Sequence, residues 1–406
     1  MPHTIQLPTA LEKTVIWIVA AVQFVNIVDF MMVMPLGPEL ARDLGIRMSH
    51  LGVVAGSYTL AAAVSGFLCS FFIDHLDRKV ALLISMIGLA IGTASGAFAY
   101  DFHSLLWTRV LAGAFGGPAT STALALISDV VPHQRRGKAL GTVMMAFSLA
   151  STLGVPLGLE LARIGTWQTP FLVVGFAGVL VSIIIFYRLP SMRGHLSKVS
   201  ELRVIDVHRG LLAQGKVFYS YTLIFCLMMS GFLIFPNIAP YVQVNLGFPA
   251  DEMSRLYLAG GLVSLAVMRF CGILVDRYGS TPFFILGSLG FFGGLIGGFW
   301  GDRPLLGPYG IFMVFMFFGT MRNISANTLT SKVPKPEERA GFMSLQSAVQ
   351  HSAAAFGGIL SSRILTTSST GIVEGFDSLV IASTIPLVAA VLIIVLLQRR
   401  ILHQEH

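Results

Sequence analysis

DHLDRK at residues 74–79 and DRYGS at residues 276–280 are two copies of one short charged pattern, and they stand 202 residues apart in a chain of 406. The offset is almost half of the length, and other residues repeat in the same register: Cys69 with Cys271, Gly117 with Gly319, and Val131-Pro132 with Val333-Pro334. Each charged cluster lies between two long apolar runs, where a membrane helix would emerge and turn back. Many transporters are built from such a duplicated helical half, with the substrate site between the halves. The repeat therefore predicts a transporter.

The composition places the chain in lipid rather than in water. Hydrophobic residues make up 54% and charged residues 12%, against about 25% charged residues in a typical soluble domain. The mean hydropathy is +0.77, and a water-soluble fold cannot bury that much apolar surface. The three cysteines fall in apolar runs, and the sequence has no CxxC pattern and no Cys/His cluster. We therefore expect neither a disulfide framework nor a metal site, and no cofactor.

Twelve apolar stretches are long enough to span a bilayer, and each should be a helix because a lipid-embedded backbone must satisfy its own hydrogen bonds. They cover residues 15–37, 49–73, 80–99, 104–130, 138–162, 169–188, 217–244, 252–274, 282–300, 307–331, 340–364 and 376–398. The predicted fold class is an all-α membrane protein with twelve transmembrane helices in two pseudo-symmetric six-helix bundles. We assign residues 1–188 to the N-terminal bundle, 189–216 to a cytoplasmic linker and 217–406 to the C-terminal bundle.

The basic residues give the orientation of these helices. With both termini in the cytoplasm, 18 of the 27 Lys and Arg residues lie on the cytoplasmic side, six lie outside and three lie within spans. This bias agrees with the positive-inside rule and predicts a multi-pass protein of the plasma membrane, the inner membrane of a bacterium. The net charge of +7 is then a matter of topology, and we expect no nucleic-acid partner.

The turn between spans 2 and 3 resembles a signature of the major facilitator superfamily, Asp-Arg-x-Gly-x-Arg/Lys-Arg/Lys. The resemblance to that superfamily covers essentially the whole chain, and the twelve-span drug:proton-antiporter-like branch is the most similar. The first copy departs from the signature at His75 and Asp77, which replace Arg and Gly. The second copy keeps Asp-Arg-x-Gly at residues 276–279 but has Ser and Thr where basic residues are usual.

The resemblance implies a conformational latch. In the family the first Asp of the signature caps the start of helix 11, and the Arg four residues later pairs with an Asp that ends helix 4. Those positions correspond to Asp74, Arg78 and Asp129, with Asp276 and Arg277 as the second copy. Such a latch would stabilise the outward-facing state, and it is not a substrate site.

Span 5 contains Gly154-Val155-Pro156-Leu157-Gly158, which looks like a shortened form of the antiporter motif of the family. Pro156 bends the helix, while Gly154 and Gly158 permit close helix packing. We expect these three residues to form a hinge that lets one side of the protein seal. An ordinary kinked membrane helix is the alternative, and only the resemblance favours antiport.

Two charged residues lie inside spans of the N-terminal half, where charges are costly and usually face a partner or a cavity. Arg109 in span 4 looks like the helix-4 arginine that the family associates with proton coupling. Its natural partner is Asp29 in span 1, because both lie at similar depths, and Asn26 shares the helix face of Asp29. We expect Asp29 and Arg109 to couple protons and Asn26 to line the substrate cavity. The alternative is a static ion pair that holds helices 1 and 4 together.

Spans 10 and 11 of the C-terminal half carry the remaining candidates for a substrate cavity. They are Arg322, Asn323, Asn327, Gln346, Gln350 and His351. The two pairs of amides are each four residues apart and share a helix face, so interhelical hydrogen bonding is an equal alternative. Arg322 could meet an anionic group of the substrate. Aromatic residues of span 7 could form an apolar wall of the cavity, namely Phe225, Phe232, Phe235 and Tyr241.

These patterns favour secondary transport over other functions. The sequence has no GxSxG, HExxH or His/Asp cluster that an intramembrane enzyme would use, and a passive channel fits poorly with the duplicated half. We predict a proton-coupled antiporter, not an enzyme, that exports a small drug-like molecule or metabolite by alternating access. Its partners would be the substrate, protons and the bilayer, and it would work as a monomer. The alternative is proton-coupled uptake or uniport of a sugar or organic acid.

Overall fold

The computed structural model describes residues 9–72, 76–193, 210, 214–301, 304–334, 339–369 and 371–402. Within them the chain forms twelve long helical segments, α1 to α12. The first six are α1 (Thr9–Met32), α2 (Leu51–Phe72), α3 (Arg78–Ser95), α4 (Phe102–Val130), α5 (residues 133–164) and α6 (Gln168–Arg188). The second six are α7 (Gly215–Pro240), α8 (Met253–Tyr278), α9 (Ser280–Phe299), α10 (Pro308–Thr330), α11 (Arg339–Ile364) and α12 (Phe376–Leu402).

Shorter elements join or interrupt these helices. Helix α5 consists of His133–Leu149, a π-helical turn at Ala150–Gly154, and Val155–Ile164. A second π-helical turn, Tyr241–Asn245, continues α7. A short helix covers Gly37–Asp43, and 3-10 turns cover Met48–His50, Gly96–Phe98 and Ala250–Glu252. Strands β1 (Thr366–Thr367) and β2 (Val373–Glu374) pair antiparallel between α11 and α12.

In the described part of the chain, nine helices are long and apolar enough to cross a bilayer: α1 to α4, α6 to α9, and α12. The other three carry more polar sequence. Helix α5 begins with the basic segment at residues 133–138, while α10 and α11 contain the arginine, amide and histidine side chains singled out above. A polar group at membrane depth needs a protein or aqueous neighbour, so α10 and α11 are suited to face the interior.

The end of the first span differs from the prediction. The apolar run continues to residue 37, but α1 ends at Met32 and the chain turns before the short helix Gly37–Asp43. Pro35 and Pro38 lie in this stretch. Proline lacks a backbone N–H and ends a helix, although it suits the first turn of the next one. Hydropathy alone does not register this break.

Polar side chains fix several helix starts on the membrane faces. The Asp77 carboxylate caps α3 by accepting a hydrogen bond from Lys79 N at 2.9 Å. Asp101 and Ser104 form a capping box at the start of α4, with Ser104 N donating to Asp101 Oδ1 at 2.7 Å. Between α8 and α9 the turn uses Gly279 at a φ of +92°, a conformation that side chains rarely allow.

The two halves pack against each other through small residues. Helix α2 presents Gly52 and Gly56 to Gly358 and Ile359 of α11, so closely that a side chain at Gly52 would overlap the Gly358 carbonyl oxygen. Helix α5 likewise packs against α8. Glycine lets helix backbones approach closely in membranes. The α2–α11 contact closes the end of the molecule at which both helices meet the hairpin of β1 and β2, and Ser49 N donates to Thr367 Oγ1 there at 3.2 Å.

Candidate functional site: a buried ion pair between α1 and α4

Asp29 and Arg109 form an ion pair in the interior of the N-terminal half. Arg109 Nη1 donates to Asp29 Oδ1 at 2.9 Å, and the two side chains are 1% and 0% exposed. Asp29 lies one turn before the end of α1, and Arg109 lies two turns after the start of α4. Because α1 and α4 run in opposite directions, these positions meet at the same depth. The predicted contact is confirmed, whereas its role in proton coupling stays a prediction.

The surroundings of this pair leave part of its hydrogen-bonding capacity unused. The Arg109 guanidinium lies over the Phe171 ring, with Cζ 5.0 Å from the ring centroid. Among the described residues, Asp29 Oδ2 and Arg109 Nε and Nη2 have no hydrogen-bond partner although they are buried. One hydrogen bond thus joins the two side chains, and each keeps polar atoms that could bind another partner. Removal of either residue alone would be strongly destabilising, because it leaves the other charge buried without a partner.

Asn26 lies one turn before Asp29 in a cluster of neutral polar groups. Its Nδ2 donates to the Gly116 carbonyl at 3.0 Å and to Thr120 Oγ1 at 2.8 Å. Its Oδ1 accepts a hydrogen bond from the Tyr58 hydroxyl of α2, and Thr120 Oγ1 donates to Gln23 Oε1 at 3.3 Å. This Asn26 cluster joins α1, α2 and α4. The sequence singled out Asn26 but gave no signal for Tyr58 or Gln23.

A second amide cluster joins α10 to α11. Asn327 Nδ2 donates to the Asn323 carbonyl at 2.9 Å and to Asn323 Oδ1 at 2.5 Å, and Gln346 Nε2 donates to Asn327 Oδ1 at 2.9 Å. Gln350 and His351 lie one turn further along α11 with partly exposed side chains. The structure thus brings Asn323, Asn327 and Gln346 together. Their contact with a substrate stays a prediction.

Arg322 points away from these amides. Its Nη2 donates to Ser230 Oγ of α7 at 2.9 Å, and its Cζ lies 4.6 Å and 5.7 Å from the ring centroids of Phe291 and Phe284 in α9. The residue is 1% exposed. Cation–π contacts partly replace the hydration of a buried guanidinium. The sequence predicted that Arg322 lines the substrate cavity, and this stays a prediction. Its contacts with Ser230, Phe291 and Phe284 were not indicated by the helical periodicity.

The expected latch is only partly within the described residues. Arg78 Nε donates to Asp129 Oδ2 at 2.9 Å, with side chains 6% and 35% exposed, so this predicted pair forms. Asp74 lies outside the described residues. In the second copy Asp276 and Arg277 are exposed, and the Arg277 guanidinium lies 5.3 Å from the ring centroid of the neighbouring Tyr278. The latching role of these residues stays a prediction.

Asp77 makes a contact that the sequence did not reveal. It stands where the signature has Gly, and its carboxylate binds the chain just after α6: it accepts hydrogen bonds from the Ser191 hydroxyl, from Met192 N at 3.0 Å and from Arg193 Nε at 3.3 Å. Burial by itself would raise the pKa of Asp77. These hydrogen bonds and the one from Lys79 N outweigh burial and lower the pKa from 3.8 to about 2. The α2–α3 turn is thereby fastened to residues 191–193.

The hinge residues of α5 lie against α1. Gly154 closes the π-helical turn and faces Val28, and Gly158 faces Met32. Pro156 is the second residue of the α-helical segment that follows this turn. The predicted interruption of span 5 is therefore a π-helical turn, and such turns occur frequently at functional sites. The hinge function of Gly154, Pro156 and Gly158 stays a prediction.

Comparison with known proteins places this architecture in a family. The family model described as Major Facilitator Superfamily matches residues 19–358, with a second match at 221–401. The chain belongs to the Major Facilitator Superfamily. It is a transporter with twelve transmembrane helices in two six-helix bundles and a multi-pass membrane protein, and its relatives are transporters rather than enzymes.

Relatives within the superfamily are distant in sequence. The inner membrane transport protein YdhP of Escherichia coli (strain K12) is 25% identical over 246 residues, which cover 57% of this chain and 62% of YdhP. The purine ribonucleoside efflux pump NepI of Escherichia coli O157:H7 is 28% identical over 254 residues, 62% of each chain. The crystal structure of a D-xylose-proton symporter superposes with a TM-score of 0.74 at 16% identity, over 94% of this chain and 97% of the symporter. That likeness concerns the fold alone.

Proposed function

We propose that the protein is a proton-coupled antiporter that exports a small organic molecule by alternating access. The Asp29–Arg109 ion pair carries the proposal. Its carboxylate is completely buried at membrane depth, its bond to Arg109 is 2.9 Å long, and both partners keep polar atoms without a partner among the described residues. An ionisable residue in such a place is by default a candidate for moving protons.

Competition between the proton and the substrate would couple their movements. In the first state of the proposed cycle, an ionised Asp29 is held by Arg109. A proton that binds to the carboxylate removes its charge and releases Arg109 from the pair. Substrate that engages Arg109 or Asn26 favours the opposite step, the loss of the proton. Protons that move down their gradient into the cell would then drive substrate out of it, because the site holds one or the other.

The basic residues support the orientation of the chain in the membrane, and the name of one relative supports export. We place both termini in the cytoplasm and the chain in the bacterial inner membrane, because the basic residues follow the positive-inside rule. YdhP carries the name of an inner membrane transport protein and NepI that of an efflux pump. We further assign residues 1–188 and 217–406 to the two bundles, 189–216 to the cytoplasmic linker, and a monomer to the working state.

Proton-coupled uptake or uniport of a sugar or organic acid is the second candidate. The amide cluster of Asn323, Asn327 and Gln346 favours it, because neutral amides can bind the hydroxyl groups of a sugar. A D-xylose-proton symporter shares the fold. The two candidates differ in the direction in which protons move relative to substrate.

The sign of a pH change in proteoliposomes distinguishes these mechanisms. Vesicles with a pH-sensitive dye inside would start at equal pH on both sides, and substrate would be added outside. An antiporter takes substrate in and lets protons out, so the lumen becomes alkaline. A symporter makes it acidic, and a uniporter leaves it unchanged. The panel would contain inosine, ethidium, xylose and citrate, which represent neutral planar, cationic planar, neutral non-aromatic and anionic molecules.

Charge-neutralising variants then test the ion pair. Asp29→Asn, Arg109→Gln and the double variant would be compared with Glu160→Gln, which removes an exposed carboxylate paired with Arg163. We expect the double variant to fold, since it leaves no unpaired charge, yet to move no protons. A static structural pair would instead allow the double variant to couple as the wild type does, and that result would refute the proposal.

A further inference from the structure

A row of aromatic rings crosses the boundary between the two bundles. Phe30 of α1 stacks on Tyr58 of α2, with ring centroids 5.4 Å apart and planes 24° apart. Phe30 also approaches Phe232 of α7 in the other bundle, at 5.8 Å. Phe232 packs against Phe235 at 6.0 Å, and Phe235 stacks on Phe315 of α10 at 5.8 Å with planes 11° apart. These five residues, Phe30, Tyr58, Phe232, Phe235 and Phe315, are the aromatic row.

The aromatic row keeps exposed surface between the bundles. Tyr58 and Phe235 are buried, at 2% and 7% exposure, whereas Phe30, Phe232 and Phe315 are partly exposed. Phe30 and Phe232, both partly exposed, meet across the bundle boundary. Substrates of transporters with duplicated halves bind at that boundary. A flat aromatic molecule could stack on these rings in the offset geometry that aromatic pairs prefer.

Neutral hydrogen-bonding groups lie at the N-terminal end of the row. Tyr58 belongs to the row and also donates its hydroxyl to Asn26, which binds Thr120 and the Gly116 carbonyl. Binding sites for small molecules are mostly apolar, with a few polar groups that fix orientation. A planar ligand on Phe30 would therefore bring its edge next to amide and hydroxyl groups.

The distribution of charge argues against an ionic substrate. Asp29 is the one acidic residue that lies more than three residues inside any of the twelve predicted spans, and its carboxylate is engaged by Arg109. A cation that took Asp29 would leave Arg109 buried without its partner, which is unfavourable. An anion would need either Arg109, which is engaged by Asp29, or Arg322, whose guanidinium is 1% exposed and lies against Phe291 and Phe284.

We propose that the transported molecule is an uncharged, planar, aromatic heterocycle with hydrogen-bonding groups on its edge. It stacks on the exposed faces of Phe30 and Phe232, and its edge binds at the Asn26 cluster. This proposal rests on the transport function proposed above, since it names the substrate class of the same site.

Variants that remove a ring while keeping an apolar side chain test the stacking. Phe30→Leu and Phe232→Leu would be reconstituted beside Phe176→Leu, a control in α6 that is 63% exposed, and Phe30→Tyr, which keeps the ring. Uptake of radiolabelled inosine would be measured in each. We expect the KM to rise at least tenfold in the two ring-removing variants, which equals about 1.4 kcal/mol of binding. The KM of the control and of Phe30→Tyr should stay within twofold of wild type.

Binding and proton movement are measured separately, so that the two proposals can fail independently. Inosine binding in detergent would be followed by calorimetry, and proton movement by the dye in vesicles. Inosine that binds without any pH change would support the substrate class and refute antiport. Xylose, ethidium or citrate that moves protons while inosine does not bind would refute the substrate class and leave coupling intact. Absence of inosine binding at millimolar concentration, or an equal KM in all variants, would also overturn the substrate class.

Discussion

The contact of Gly52 and Gly56 in α2 with Gly358 and Ile359 in α11 forms a seal between the bundles. A single methyl group at Gly52 should open this seal. The Cβ of Gly52→Ala would overlap the carbonyl oxygen of Gly358 in α11 and lie 2.6 Å from the hydroxyl oxygens of Ser361 and Ser362. The two hydroxyls can rotate away, but the carbonyl belongs to the helix backbone, so α2 and α11 must separate. Overpacking of this kind costs about 1–3 kcal/mol. Because the clash exists only where the helices are in contact, it shifts the equilibrium toward separated states by about 5–150-fold.

The rate at which a buried cysteine is labelled measures this shift. Ser49 lies beside the seal, is 5% exposed, and bonds to Thr367 across it. In a background without the three native cysteines, Ser49→Cys would be treated with a membrane-impermeant maleimide from outside. We expect labelling at least fivefold faster in Gly52→Ala than in the parent. Gly231→Ala is the matched control, since no atom lies within 4 Å of its added Cβ. Equal labelling in Gly52→Ala and Gly231→Ala would refute the reasoning.

Three further predictions concern stability, each measured by unfolding in detergent. The pKa of Asp77 is about 2 instead of its ordinary 3.8. Its ionised form therefore stabilises the fold at pH values above about 4, and that contribution is lost as the pH falls through 2. Wild type and Asp77→Asn should differ in Tm at pH 6 and converge near pH 2. Asp101→Ala removes a capping box and should lower the free energy of unfolding by about 0.5–2 kcal/mol, with transport unchanged. Arg322→Met removes a buried cation that forms no ion pair with a described carboxylate, so its Tm should equal or exceed that of wild type; a fall of several degrees would show that Arg322 contributes through Ser230 and the rings.

The fold was predictable because lipid imposes few choices. Long apolar runs in a membrane must be helices, and a repeat of 202 residues implies two related halves. The predicted spans therefore agree with α1 to α12 to within a few residues at most ends. The errors lie where backbone chemistry decides. Pro35 and Pro38 end the first helix inside an apolar run, and the Gly and Pro residues of span 5 did not indicate that a π-helical turn would form at Ala150–Gly154.

The candidate site was predictable where charge leaves no alternative. Arg109 needs a counter-charge, and the similar depths of Asp29 and Arg109 in their spans predicted the contact that the structure shows. The facing of neutral side chains was not predictable, since spans rich in Leu, Ala and Gly show little difference between their faces. Tyr58 and Ser230 were missed for that reason. The contact of Asp77 with residues 191–193 was missed because it joins segments more than a hundred residues apart.

Helix α2 carries residues of both the proposed substrate site and the α2–α11 contact, and this makes the two experiments on transport complementary. Its Gly52 and Gly56 pack on α11, while Tyr58, less than two turns along the same helix, binds Asn26 and stacks on Phe30. Phe30 in turn meets Phe232 of the other bundle, so separation of the bundles at the α2–α11 contact should also pull the aromatic row apart. We therefore expect occupancy of the aromatic row to be coupled to closure of the α2–α11 contact. By linkage, a substrate that binds the closed arrangement more tightly should slow Ser49→Cys labelling, and Gly52→Ala should weaken binding of that substrate.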